Sequence, residues 1–323
     1  MRLALDVMGG DHAPDAPLAA ARAFSAEGVE LVLVGPADVV EGHGFECVAT
    51  TQTVTMDDKP ARIGRDKPDS SMQRAVEQVK EGRADAAVSA GNTGALLSTG
   101  LFSLGRLPGI DRPALGGVFP TKTGQTLLID AGANAEVKPR WLLQFGLMGS
   151  VYMARVFGLP SPRVGLLNVG AESGKGSAVV QEAYELLAAA PGLNFVGNVE
   201  GTDLPAGAVD VVVCDGFTGN VVAKVSEGVA SLIGGWIREE IRADKLAPLG
   251  ALLLRGAFGR VRGRLAYADY GGCAPLFGLN GLVVKAHGRA DAAALKYALE
   301  LAANAVRTDL IGTMRAALAE AAA

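Results

Sequence analysis

Several apolar runs in this chain end in the residue types that hold oxyanions. Val211-Val212-Val213-Cys214-Asp215-Gly216 turns through Phe217-Thr218-Gly219 to Asn220. Ala86-Ala87-Val88-Ser89 leads into Ala90-Gly91-Asn92-Thr93-Gly94, Leu127-Leu128-Ile129 into Asp130-Ala131-Gly132-Ala133-Asn134, and Val164-Gly165-Leu166-Leu167 into Asn168-Val169-Gly170. The first run, residues 3–7, is followed by Gly9-Gly10-Asp11-His12. Glycine turns let backbone N–H groups close on an anion, and a helix beginning there adds the positive end of its dipole. The Ser89, Asn92 and Thr93 turn lacks the lysine of a Walker loop, so it suits a small oxyanion such as free phosphate better than a nucleotide. Gly9, Gly10 and Asp11 offer a second set of amides. His12 beside them either donates a hydrogen bond or proton near neutral pH, or caps the turn. Asn134 and Lys138 are four residues apart, as are Asn220 and Lys224, a spacing that puts each pair on one helix face. Asp215 either orients Lys224 or His12, accepts a proton from monoanionic phosphate, or caps the helix that follows it. Glu172 and Lys175 sit in a glycine-rich loop after Asn168. No His/Cys set has metal-ligand spacing, so no metal site is expected, and no G-x-S-x-G nucleophile elbow is present.

These turns need strands and helices to aim them. Near-continuous apolar runs of four to seven residues fall near residues 3–7, 30–34, 47–51, 86–89, 115–119, 126–130, 164–168, 194–197, 209–215 and 282–286, as in strands covered on both faces. Helical patterns lie between them over residues 14–24, with Asp15 a possible cap, and over 70–81, 138–157, 177–189, 219–242 and 291–321. Such alternation predicts a three-layer α/β/α protein on a largely parallel, doubly wound sheet, with ligands at the carboxyl ends of the strands. The 323 residues suit one large unit, with room for a second lobe in the middle of the chain. The formal charge of −4 argues against a nucleic-acid partner. Cys47, Cys214 and Cys273 have no paired spacing, which agrees with a reducing compartment. No signal peptide or run of about 20 apolar residues is visible, so the expected location is cytoplasmic. Residues 244–268 break the pattern: Leu246, Leu249, Leu252, Leu253, Leu254 and Phe258 supply apolar bulk, and Arg255, Arg260, Arg262 and Arg264 supply four positive charges. A helical hairpin broken near Gly256 or Gly259 would either lie on an anionic membrane surface or pack at a subunit interface.

Taken together, the blocks resemble a known family. Ala4-Leu5-Asp6-Val7-Met8-Gly9-Gly10-Asp11-His12-Ala13-Pro14 is similar to the opening of the acyl-carrier-protein-dependent phosphate acyltransferases of bacterial phospholipid synthesis, the PlsX family. The resemblance continues through residues 89–96, 108–113, 130–134, 143–152, 165–168, 197–201, the Asp215 segment, and 279–281 on to His287-Gly288. Cys273 departs from the pattern, standing between Gly272 and Ala274 where the family often has none. The resemblance implies a fold similar to phosphotransacetylases and isocitrate-type dehydrogenases, usually as a homodimer. It implies acyl transfer from acyl carrier protein to inorganic phosphate with no cofactor, and peripheral attachment to the membrane through Leu252, Leu253, Leu254 and Phe258.

For that reaction the turns at residues 9–12 and 89–93 are expected to hold phosphate. Asn134, Asn168 and Asn220 would orient it or polarise the thioester carbonyl, and Lys138 or Lys224 would offset the developing charge. The alternatives are a phosphotransacetylase acting on acetyl-coenzyme A, a metal-dependent decarboxylating dehydrogenase, and a non-catalytic scaffold that recruits acyl carrier protein through its arginines.

Overall fold

The computed structural model describes residues 1–244, 246–261 and 273–321. Its eleven strands are β1 (Arg2–Asp6), β2 (Glu30–Gly35), β3 (Glu46–Ala49), β4 (Ala86–Ser89), β5 (Ala114–Pro120), β6 (Gln125–Ile129), β7 (Val164–Leu167), β8 (Phe195–Val199), β9 (Val211–Val213), β10 (Ala274–Phe277) and β11 (Leu282–Lys285). They form one sheet in the order β3-β2-β1-β4-β11-β10-β5-β6-β9-β7-β8. The strands from β3 to β11 are mutually parallel, as are those from β6 to β8. Between these halves β10 pairs antiparallel with β11 and β5, and β5 antiparallel with β6. The two parallel halves therefore run in opposite directions, and their carboxyl ends leave the sheet at opposite edges.

Side-chain alternation divides the core into layers. On β1, Leu3 and Leu5 face one apolar cluster and Ala4 another; on β11, Leu282 and Val284 face the first and Val283 the second. The first cluster is closed by helices Asp15–Ala23, Pro139–Phe157, Ala292–Arg307 and Leu310–Glu320. The second is closed by Ser71–Lys80 and Thr93–Leu104. On β6 and β9, Leu128, Val212 and Cys214 face a third cluster, away from Leu127, Ile129, Val211 and Val213. Helices on both faces of a largely parallel sheet give the expected α/β/α layering.

Local chemistry sets the helix ends. Ser70, Asn92, Ser177 and Asp291 each accept an N–H from the first turn of the helix that follows, which satisfies one of the four orphan donors there. Several expectations need correcting. Asp15 lies inside the first helix rather than capping it, with Pro14 in the cap position. The pattern over 291–321 is two helices, because Asp309 adopts φ 48° and caps the second through Gly312 N. Strand β10 was not expected, since Pro275 inside a short run reads as a breaker. The helix after β9 starts at Gly216 and runs to Ala243. Helix Ala247–Leu253 follows it, and residues 255–261 are helical. The break falls at Leu254, where the chain makes a turn, and the helix passes unbroken through Gly256 and Gly259. The rest of the expected hairpin, with Arg262 and Arg264, lies outside the described residues.

Close approach of helix Pro139–Phe157 to the sheet rests on small residues. A Cβ on Gly149 would come within 2.7 Å of Val211 Cγ1, and one on Gly146 within 2.9 Å of Leu187 Cδ2. Gly149→Val should therefore cost about 1–3 kcal/mol through overpacking, read as a lower urea midpoint with an unchanged m value.

Candidate active site

Three turns meet at the carboxyl ends of the neighbouring strands β1, β4 and β11. Pairing of Leu5 with Val88 and of Ser89 with Lys285 puts Asp6, Ser89 and Lys285 side by side in one row. By alternation they share the face of Ala4, Ala87 and Val283. All three are buried. Ser89 Oγ donates to Asp6 Oδ2 at 2.6 Å and accepts from Gly91 N at 3.0 Å, while Met8 N donates to Asp6 Oδ1 at 3.1 Å. Burial pushes the Asp6 carboxyl above its ordinary range, against the pull of hydrogen bonds from Ser71 and Ser89. The backbones are pressed together here. A Cβ on Gly9 would lie 2.8 Å from both Gly91 N and Ser89 Oγ, and Gly10, at φ 105°, lies against Ala90 and the Gly288 carbonyl. Asp11 N donates to that carbonyl at 2.7 Å, tying the first turn to the third.

The structure thus brings Gly9, Gly10, Asp11, Ser89, Asn92 and Thr93 into one neighbourhood. It also shows how their polar groups are used. Asn92 is the helix cap: its Oδ1 accepts from Ala95 N at 3.0 Å and its Nδ2 donates to Met56 O at 2.9 Å. Thr93 and Gly94 begin the helix, where N–H groups have no carbonyl a turn behind them. His12 is exposed in the turn before helix Asp15–Ala23, and its carbonyl accepts from Ala16 N.

The second group of turns leaves the opposite edge. Asp130 is fully buried. It accepts from Leu115 N, Gly132 N, Ala133 N, Asn134 N and Asn134 Nδ2 at 2.7–3.1 Å. Asn134 Nδ2 also donates to Pro113 O at 2.8 Å. The Asn134 side-chain amide is therefore built into its own loop. Asn168 is similarly occupied, donating to Lys175 O and accepting from Val169 N. Asp215 takes the capping role, with Oδ1 accepting from Thr218 N and Oδ2 from Thr218 Oγ1. Lys138 is exposed with its ammonium 5.9 Å from the Trp141 ring centroid.

Helix Gly216–Ala243 links the two groups. It enters through Gly216 and Gly219, whose α-carbons press against Asn134 and the Asp130 carbonyl with no room for a side chain. Asn220 is exposed and lies over Gly132. One turn on, Lys224 Nζ donates to Glu227 Oε2 at 2.9 Å. Both charges reach His287 in the turn after β11. Burial, then Lys285 and Lys224, hold the His287 imidazole below its ordinary range, opposed by Glu227. Lys224 thus lies within electrostatic reach of the turn after β11, while Asn220 stays against the Asp130 turn. Asn134, Asn168, Lys138 and Asn220 follow β6, β7 and β9, so the expected convergence of all the turns is corrected: they fall in two groups at the two edges. The reason is the reversal of strand direction through β10 and β5.

Asp6, Lys285 and His287 were not singled out from the sequence as site residues. The available signal was a charge at the end of an apolar run, in Leu3-Ala4-Leu5-Asp6 and Leu282-Val283-Val284-Lys285, at a position that alternation turns onto a buried face.

The layered sheet, with its direction reversed at the centre, first defines a fold class, a three-layer α/β/α protein shared with solved structures. A phosphotransacetylase from Streptococcus pyogenes superposes with a TM-score of 0.61 at 17% identity, over 95% of this chain and 94% of that one. The EutD phosphotransacetylase from Staphylococcus aureus gives 0.59 at 17% identity with the same coverage. At this identity the likeness is one of fold alone. Sequence is more specific. A family model described as "Fatty acid synthesis protein" matches residues 1–313. The phosphate acyltransferase of Desulforudis audaxviator (strain MP104C) is 47% identical over 320 residues, covering 97% of this chain and 95% of the relative. That of Thermotoga neapolitana is 49% identical over 313 residues, covering 96% and 95%. The chain belongs to this family of phosphate acyltransferases. It is an enzyme of acyl transfer to phosphate in fatty acid and phospholipid synthesis.

The Asp130 network is the stiffest part of the second edge. Asp130→Ala leaves four backbone N–H groups without their acceptor, and should cost roughly 3 kcal/mol or more by chemical denaturation.

Proposed function

We propose that the enzyme moves a fatty acyl group from the thioester of acyl carrier protein to inorganic phosphate. The reading rests chiefly on one observation: three turns at adjacent parallel strand ends are packed to backbone contact, in a chain whose relatives are phosphate acyltransferases throughout its length. A phosphate oxygen attacks the thioester carbon, and the carbonyl oxygen gathers negative charge. The C–S bond then breaks, its electron pair leaves with sulfur, and the thiolate takes a proton from water. Phosphate is already nucleophilic near neutral pH, so the protein's work is desolvation, positioning and oxyanion stabilisation. Phosphate sits at the turns after β1 and β4, near the orphan amides of Thr93 and Gly94. Asn220 polarises the carbonyl from helix Gly216–Ala243, and Lys224 offsets charge as it grows. His12, exposed beside the Gly9 turn, serves as a hydrogen-bond donor to the incoming phosphate, and no resident cofactor is required.

Two surfaces support the expected partners. Val221, Val225, Val229, Leu232, Ile233, Trp236 and Ile237 are exposed on helix Gly216–Ala243 at spacings of three and four, a stripe that suits a second copy of the chain. Beyond it Leu252, Leu253, Leu254 and Phe258 are exposed beside Arg255 and Arg260, which suits an anionic membrane surface. Arg255 and Arg260 also suit an acidic carrier protein. No helix among the described residues is long and apolar enough to cross a membrane, so attachment would be peripheral, from the cytoplasmic side.

Acyl phosphate release measured with acyl-carrier-protein and coenzyme A thioesters decides the donor. Phosphate-dependent product from the carrier-protein thioester is expected, and turnover on acetyl-coenzyme A alone would mark a phosphotransacetylase instead. Asn220→Ala should lower kcat on the order of a hundredfold with an unchanged Tm, because the side chain is exposed; wild-type single-turnover rates would remove Asn220 from the mechanism. Replacing Leu253 and Phe258 together with Glu should abolish co-sedimentation with anionic vesicles while turnover on soluble donor persists.

A further inference from the structure

Lys285 is a buried cation that the chemistry above leaves unused. Only about 5% of it is exposed. Its ammonium donates to two backbone carbonyls, Ala90 O at 3.5 Å and Ala286 O, and among the described residues it forms no ion pair. The nearest carboxylate in its own row is Asp6, two strands away across β4, a separation of roughly 10 Å. The carboxylate that acts on it most strongly is Asp11 in the turn after β1, ahead of Asp6, and neither forms an ion pair with it; a buried charge so weakly compensated is costly. Its location states what would compensate it. Ala90 belongs to the turn Ser89-Ala90-Gly91-Asn92, and Ala286 precedes the turn that receives Asp11 N, so the ammonium lies beneath the meeting point of the oxyanion-binding turns.

We propose that Lys285 is the positioning charge of the oxyanion site, holding inorganic phosphate at the turns after β1 and β4 by supplying the positive charge those turns lack. This rests on the reading of the enzyme as a phosphate acyltransferase. Lys285 acts through the backbone it braces rather than on the reacting atoms, so its signature is phosphate affinity and not acyl transfer itself. Burial holds its ionisation down to about 8, with Cys273, Asp11 and Asp6 opposing the shift. Burial lifts the Cys273 thiol to about 12, so it stays neutral beside the ammonium, and His287 is held neutral by burial. Of Cys273, His287 and Lys285, it is Lys285 that loses a charge as the medium turns alkaline. Phosphate itself is already dianionic there.

The experiment compares wild type, Lys285→Met and Lys285→Arg by steady-state kinetics in both substrates, and by thermal shift with inorganic phosphate alone. In wild type, kcat/KM for phosphate should fall as pH rises through about 8, because the free enzyme loses its ammonium. Lys285→Met should raise the phosphate KM about tenfold, as for the loss of a unit charge acting at a distance through the protein, with little change in the KM for the acyl donor. Its phosphate-induced rise in Tm should shrink, while its Tm without phosphate should not fall, since an uncompensated buried charge has been removed. Lys285→Arg should recover phosphate affinity and lose the fall above pH 8, because a guanidinium stays charged. An unchanged phosphate KM in Lys285→Met overturns the proposal. So does an equal loss in both substrates accompanied by a lower Tm, which marks a structural lysine. If Lys285→Met does not fold, a wild-type profile flat across pH 7–9 still overturns it. Wild type that shows no phosphate-saturable turnover overturns the parent reading instead, which keeps the two failures distinct.

Discussion

The reversal of strand direction at β10 and β5 governs the rest of this molecule. Two parallel half-sheets joined through antiparallel strands share one continuous hydrogen-bonded ladder but send their carboxyl ends to opposite edges. In an open parallel sheet, ligands collect where the carboxyl ends of neighbouring strands diverge. Here only half of the turns can gather at any one edge. The gap is closed by a helix rather than a loop. Gly216–Ala243 has 28 residues, roughly 42 Å of helix; it leaves Asn220 at the Asp130 edge and brings Lys224 within electrostatic reach of His287. Gly216 and Gly219 allow it to start against the Asp130 turn. The five hydrogen bonds received by Asp130 make that turn a rigid footing.

The division between what the sequence announced and what it concealed follows the same physics. Buried parallel strands show as unbroken β-branched runs, so Val211–Val213 and the β1 run were legible, as were the Ser70, Asn92 and Ser177 helix starts. Strand β10 was hidden because Pro275 removes an amide, and because a strand reversing direction follows no βαβ rhythm. Motif reading also could not separate two uses of one residue. Asn92 and Asp215 stand at helix starts, where a cap and an anion ligand occupy the same position, and the hydrogen bonds to Ala95 and Thr218 show both making the cap contact. Asn134 and Asn168 are likewise hydrogen-bonded inside their loops. The polar row of Asp6, Ser89 and Lys285 was invisible for a different reason. It exists only through lateral register between strands more than 80 residues apart in sequence, and no local window contains it.

Several features of the chain are expensive to a folded monomer. Burial disfavours the charged forms of Asp6 and Lys285, which lie beside tightly packed glycine turns. The long helix leaves a file of Val, Leu, Ile and Trp side chains in solvent, with Trp236 58% exposed, where a monomer gains by burying them. Features that oppose stability and persist in a working enzyme concentrate where a ligand or another surface completes them. The two kinds of cost meet on one element, because the helix with the apolar file also bears Asn220 and Lys224. A continuous helix transmits orientation along its length, since bending it disrupts its own hydrogen bonds. Whatever covers the apolar file therefore bears on the same helix that carries Asn220 and Lys224.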